Sequence, residues 1–475
     1  MSSKTQFNYN RKILDLTGKN DPRDFITVND ICKGIFGFGN TGSGKSSGAF
    51  ATLALGLLNL HNVKPHEKMG MVIYQFKDDK KDWERWAYQQ GREKDLIRIG
   101  IEHKNVFNPL ASFAKDEPLN AVEMLMNLAT LSSGGGTRKK GEEFWESAQK
   151  MRLDRMMRLM KISGEPFNFN TLNRLHDSFP NSPEQANDEN FIRDSYFLQT
   201  MWKAKERVGD HNRDFQMVDR YLTSFINLND KTSSSIIAMT SSVIEPFIAS
   251  RVLNNFFAGE STLNLNEIFS GKILLLDIPV AKYNYVGRIA QILIGAAIKD
   301  AAKKRDLDSY PNPLVFFIDE CTNFIVPRMD SLFMSVCRGY GVGNVLINQN
   351  TSNMLGTIGS EGRAAEAQVN SILALCNTKI ANANNCHITN KYVSDTIGKD
   401  FIRTQSYSVG QRMGNSASAN QALHYVVEPR FYTMGLRTGG VENDFIVDAL
   451  VTRTGGVFSN GQNFIKASFK QHFAM

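Results

Sequence analysis

Apolar residues in this chain fall into short runs, and the character of the runs changes twice. Residues 34–38 (Gly-Ile-Phe-Gly-Phe) read as a short buried strand, followed by a glycine-rich turn. Residues 46–60 have helical composition, and residues 71–74 and 96–99 read as further strands. A polar, aromatic helix around Trp83 and Trp86 separates those two strands. Strands alternating with helices predict βαβ units and a parallel sheet.

From residue 118 to 256 strand signals become few, and the segment is rich in Met, Lys, Arg, Glu and Asn. Leu153, Met156, Met157 and Met160 recur at i, i+3, i+4 and i+7, the spacing of one helical face and of a helix core. A glycine-rich loop at 132–141 precedes them and carries Arg138, Lys139 and Lys140. The segment reads as a helical domain inserted into the sheet domain. Sheet-type runs resume at 273–278, with Pro279 ending the first. A helix with Ile289, Ile292, Leu293 and Ala296 on one face then closes on Lys303, Lys304 and Arg305, a charge suited to a helix C-terminus. Runs at 314–318, 345–347 and 378–380 follow. The expected division is a polar, irregular arm at 1–32 and a sheet domain in two parts, 33–117 and 257–452. An all-α insertion fills 118–256, and a loosely ordered tail rich in Gly, Ser and Asn spans 453–475.

Composition adds little to this. The chain has 475 residues, 42% hydrophobic and 22% charged, as in ordinary globular proteins, which excludes a mainly disordered or fibrous protein. There are 55 Lys and Arg against 48 Asp and Glu, a formal net charge of +7. That permits an anionic partner without requiring one. Cys32, Cys321, Cys337, Cys376 and Cys386 show no CxxC spacing, and so few in so long a chain do not make a disulfide framework. His387 beside Cys386 has no metal-ligand spacing, and both read as structural. No signal-peptide core opens the sequence and no apolar run reaches the ~18 residues of a membrane span. The expectation is a cytoplasmic protein.

One motif carries chemistry. Gly39-Asn40-Thr41-Gly42-Ser43-Gly44-Lys45-Ser46 satisfies GxxxxGK[ST] between a strand and a helix, the context of a phosphate-binding loop. Backbone N–H groups of 39–47, Ser47 included, would wrap the phosphates of ATP. Lys45 would reach the β- and γ-phosphates and Ser46 would hold Mg²⁺. The apolar run 314–318 ends in Asp319-Glu320. Asp319 fits the second metal-side residue and Glu320 the group that polarises attacking water. Asp277, after the preceding apolar run, competes for the metal role but has Ile278-Pro279 where a Glu would stand.

With these elements the chain resembles the coupling proteins of type IV secretion and conjugation systems, the TraG/TraD class within the FtsK/HerA DNA translocases. Asn105 to Leu110, Glu143-Phe144-Trp145, Thr232 to Ile236, residues 321–325, 335–341 and 344–350, and the stretch from Glu428 carry the likeness. The resemblance implies an α/β fold, a RecA-like P-loop NTPase domain with a mostly parallel sheet interrupted by an inserted all-α domain. It also implies a homo-hexamer, with Arg338, nineteen residues past Asp319, as an arginine finger reaching the next subunit's nucleotide, and Gln349, thirty past Asp319, as a polar sensor. Read without the resemblance, Arg338 is a surface arginine on a glycine-rich turn.

Family members begin with transmembrane helices, whereas the phosphate loop here starts at Gly39. The expectation is recruitment to the inner face of the membrane through a partner. Two function classes follow. One is an ATP-driven ring that moves DNA in conjugation, phage packaging or anti-phage defence. The other is an ATP-switched platform that delivers a relaxase, an effector or another protein cargo.

Overall fold

The computed structural model describes residues 7–472 except 65, 115–116, 133–141, 258, 359–361 and 411–413. The basic loop residues Arg138, Lys139 and Lys140 lie outside the described residues.

Among the described residues the main sheet has nine strands, in the order β13-β12-β9-β3-β8-β7-β4-β6-β5. A two-stranded ribbon, β1 (Lys12–Asp15) and β2 (Phe25–Thr27), precedes it. The parallel body is β3 (Ile35–Phe38), β4 (Gly70–Tyr74), β5 (Leu96–Ile99), β6 (Ile273–Leu276), β7 (Leu314–Ile318), β8 (Val342–Asn348) and β9 (Thr378–Ala381). Every residue of β3, β4, β6, β7 and β8 is buried, as expected of strands covered on both faces. That is why these strands show in the sequence as unbroken apolar runs.

Side-chain alternation divides the strands between two cores. Ile35, Met71, Ile73, Leu275, Val315, Phe317, Val345 and Ile347 face helix α1 (Ala49–Leu58) and the Trp83/Trp86 face of α2 (Lys80–Gln89). Phe36, Phe38, Val72, Tyr74, Leu276, Phe316, Ile318 and Leu346 face the other way. Their core runs on without a break into helices between residues 118 and 257. There α3 (Glu142–Ser163) buries Leu153, Met156, Met157 and Met160 completely. The polar composition of this segment serves its helix ends. Asn168, Ser182, Asp188, Ser195, Asn212 and Asn229 each cap a helix by accepting from a first-turn N–H.

Both ends of the chain differ from expectation. Residues 7–32 are not simply a polar, irregular arm. Beyond β1 and β2, Thr27 and Asp30 form a capping box on the one-turn helix Val28–Cys32. Phe7, Leu14, Leu16, Ile26, Val28 and Ile31 are buried in the α1 core. Residues 453–472 are not a loose tail either. β12 (Ile446–Arg453) pairs antiparallel with β9 and with β13 (Phe464–Lys470). β13 alternates strictly, burying Ile465, Ala467 and Phe469 while its lysines face out. Between β9 and β12, β10 (Lys399–Gly410) and β11 (Gly414–Tyr425) form a separate antiparallel hairpin.

Among the described residues no single helix is long and apolar enough to cross a membrane. The helices Asp230–Ala249 and Arg251–Phe257 pass that test only together, and they bend by 86°.

Candidate nucleotide-hydrolysis site

The phosphate loop joins the carboxyl end of β3 to α1, and β8 and then β7 follow on one side. Open ends of parallel strands are where α/β sheets place ligands. Gly44 sits at φ +74°, and a Cβ there would lie 2.3 Å from Val447 Cγ2. At Gly39 a Cβ would lie 2.6 Å from Ser43 Oγ. Neither position accepts a side chain, so the loop can curl tightly. Ser43 Oγ is buried inside the curl without a hydrogen-bond partner, which suits a loop built around an anion.

Ser46 Oγ donates to Asp319 Oδ2 at 2.9 Å. Asp319 Oδ1 accepts from the Glu320 N–H at 2.9 Å, which fixes the carboxylate at the end of β7. Lys45, only 5% exposed, lies 3.8 Å from Glu320 Oε1. Glu320 is 6% exposed and its backbone is left-handed, φ 48° and ψ 47°. A non-glycine residue there costs about 1–3 kcal/mol, so the sharp turn after Asp319 is held against strain. The turn puts Glu320 Oε1 3.3 Å from Gln349 Nε2, which donates to it from the end of β8. The structure thus brings Lys45, Ser46, Asp319, Glu320 and Gln349 to one place. A cavity of about 530 Å³ opens beside them, lined by Thr41, Glu320, Gln349 and Asn353 among others.

Asp277 is elsewhere. It ends β6, with β4 between it and β7. It is engaged by Lys80 Nζ at 3.0 Å and His103 Nε2 at 2.7 Å.

Arg338 is also apart from the phosphate loop. It is exposed just before the start of β8, whereas Gln349 follows the end of that strand. Seven residues at ~3.3 Å each make the strand about 23 Å long, so Arg338 stands at the opposite edge of the sheet. There it borders a cavity of about 940 Å³ with Tyr9, Cys32 and Asp308.

The family described as type IV secretory system conjugative DNA transfer matches residues 99–429, most of the chain. The chain belongs to this family. Its phosphate loop lies ahead of the matched segment, so loop and family likeness are separate observations. No curated protein matches this chain in sequence. Among solved structures it resembles the unbound bacterial conjugative coupling protein TrwBdeltaN70, with a TM-score of 0.62 at 13% identity, covering 100% of this chain and 90% of that one. Plasmid coupling protein TrwB with ADP and Mg²⁺ gives 0.60 at 13% identity, covering 100% and 91%. TrwB with a non-hydrolysable ATP analogue gives 0.59 at 13%, covering 100% and 90%. These likenesses carry the fold, a RecA-like P-loop architecture with a large, mostly parallel sheet.

Several residues that support the site escape sequence reasoning. Asn384, 3% exposed after β9, donates to the Gln349 carbonyl at 2.8 Å, and that carbonyl also accepts from Gly39 N–H at 3.2 Å. Gln471 Nε2 donates to Ser47 Oγ at 2.9 Å, and His472 N–H donates to the Ser47 carbonyl at 2.7 Å. The end of β13 is therefore stitched to the start of α1. On the far flank Asp79 has its pKa raised to about 7, first by burial and then by the nearby Asp319 charge. No pattern in the sequence marks any of these, because each matters only through a neighbour distant in the chain.

Proposed function

We propose that this family member is an ATP-hydrolysing, ring-forming motor that moves or delivers DNA or a nucleoprotein substrate. The observation that carries the reading is the convergence of Lys45, Ser46, Asp319, Glu320 and Gln349 beside the curled loop. Residues 39–47 wrap the phosphates of ATP, and Ser46 with Asp319 holds Mg²⁺. Bound there, Mg²⁺ neutralises charge that builds on the transferred phosphoryl group. Lys45 turns from Glu320 to the phosphates. Glu320 then accepts hydrogen bonds from the attacking water and takes its proton, while Gln349 keeps the Glu320 carboxylate in position.

Arg338 supplies positive charge to the nucleotide of the next subunit. Its distance from the loop of its own chain supports action between subunits. The site is then complete only in an assembly, for which we propose a homo-hexamer. The helical segment 118–256 meets DNA, or a relaxase or effector bound to it, and a partner brings the ring to the membrane. Contacts to DNA run mainly through phosphates, so binding weakens steeply with salt.

ATP turnover with and without DNA tests this. DNA stimulation that Lys45→Ala abolishes is the expected result. Turnover that ignores DNA but responds to a relaxase or effector points to the cargo platform, and turnover that survives Lys45→Ala overturns the ATPase reading.

A further inference from the structure

β4 lies in register beside β7, with Tyr74 against Ile318, so Gln75 and Asp319 come next to each other at the open edge of the sheet. Met71 and Ile73, like Val315 and Phe317, pack in the α1 core. Alternation therefore puts Gln75 and Asp319 on the face that carries Ser46. Gln75 is fully buried; its side-chain amide faces the Asp79 carboxylate, and neither its oxygen nor its nitrogen makes a hydrogen bond of normal length. Its backbone, by contrast, is locked. Gln291 Oε1 accepts from Gln75 N–H at 2.7 Å, and Gln291 Nε2 donates to the Gln75 carbonyl at 2.9 Å.

Four residues on, Asp79 occupies the N-cap position of α2, where an aspartate ordinarily accepts from first-turn N–H groups. It makes no such bond, and its Oδ1 is buried with no close hydrogen bond, the Gln75 amide being the polar group beside the carboxylate. Thr322 Oγ1, just past Glu320, is a further buried oxygen with no hydrogen-bond partner. On the other side of Gln75 the row ends in Asp277, already satisfied by Lys80 and His103. Buried polar atoms left open beside a site are places for water, an ion or a ligand. Mg²⁺ bound through few side chains keeps several waters.

We propose that Gln75 and Asp79 complete the metal site from the β4 side. Asp79 accepts hydrogen bonds from water on the Mg²⁺ that Ser46 and Asp319 hold, and Gln75 orients that water. The inference rests on the nucleotide-site reading above.

The test is Mn²⁺ affinity of the full chain with a non-hydrolysable ATP analogue, read from the free-Mn²⁺ paramagnetic signal. Asp79→Asn and Gln75→Ala should each weaken Mn²⁺ binding about tenfold or more. Analogue binding without metal should stay unchanged, and Asp79→Glu should restore most of the loss. Because Asp79 makes no cap bond, Asp79→Asn should melt with the wild type; should it not fold, Gln75→Ala decides. Wild-type Mn²⁺ affinity in both variants overturns this inference alone. A wild-type chain that binds neither analogue nor Mn²⁺ overturns the nucleotide-site reading and this inference with it.

Discussion

The Ser46 hydroxyl donates to Asp319 Oδ2 across 2.9 Å, joining residues 273 positions apart in the chain. The sheet order makes this contact, since only β8 lies between the strand that leads into the loop and the strand that ends in Asp319. Asp319→Asn keeps the shape and one acceptor but removes the charge a divalent cation needs. We expect Mg²⁺-dependent ATP turnover to fall about 100-fold or more. The melting temperature should stay near that of wild type, because the bond is solvent-exposed.

Glu320 and Gln349 form a unit, and their variants should not behave independently. Glu320→Gln removes the proton acceptor and should slow turnover by about 10²–10⁴ while ATP still binds. Gln349→Ala should cost less, since it only releases Glu320 Oε1 from its 3.3 Å contact. The double variant should be no slower than Glu320→Gln alone. Single-turnover kinetics with nucleotide binding measured separately checks both points. Additive losses would mean that Gln349 acts on the phosphate directly.

Arg338 and Lys45 sit at opposite edges of the sheet, which allows a complementation test. Lys45→Ala and Arg338→Ala chains should each be nearly inactive alone. Mixed, they form interfaces in which an intact loop from the Arg338→Ala chain meets an intact Arg338 from its neighbour. Turnover should return in proportion to those interfaces. Mixtures as inactive as either parent would place Arg338 outside the reaction.

What the sequence makes legible follows from how each element is buried. β7 shows because five consecutive apolar residues sit between two cores, and the acidic pair after it gains meaning from the phosphate loop. β13 does not show. Only one face of Phe464–Lys470 is buried, so Lys466, Ser468 and Lys470 dilute it, and the Ser459–Asn463 turn before it resembles a tail. The ribbon β1–β2 is missed because its strands are short and bury only one residue each, Leu14 and Ile26, so no apolar run or alternation registers. The β10–β11 hairpin is nearly half Ser, Asn, Gln and Ala and pairs only with itself. Gln75 and Asp79 look like any polar turn after a strand, and only the alignment of Tyr74 with Ile318 gives them a role.

Arg152 in α3 offers a test of stability apart from catalysis. It is fully buried and stacks between Phe179 and Phe225, its guanidinium 4.3 and 4.5 Å from the ring centres. Its Nε donates to His176 Nδ1 at 3.2 Å. Arg152→Ala leaves a cavity between two rings and should cost about 3–5 kcal/mol, visible as a lower melting temperature. Arg152→Met keeps most of the volume and no longer buries a charge, but it leaves the buried His176 Nδ1 without its donor, so it should cost stability, though less than Arg152→Ala. The two variants should also differ from wild type in pH dependence. His176 has its pKa pushed down to about 3, first by burial and second by Arg152. The unfolded chain takes up that proton near pH 6.5 and the folded chain does not, so wild-type stability should fall as pH drops from about 6.5 towards 3. Arg152→Met removes the smaller cause and keeps the larger. The acid-side loss should therefore shrink without vanishing, and a loss of the same size in both proteins would show that Arg152 does not bear on His176.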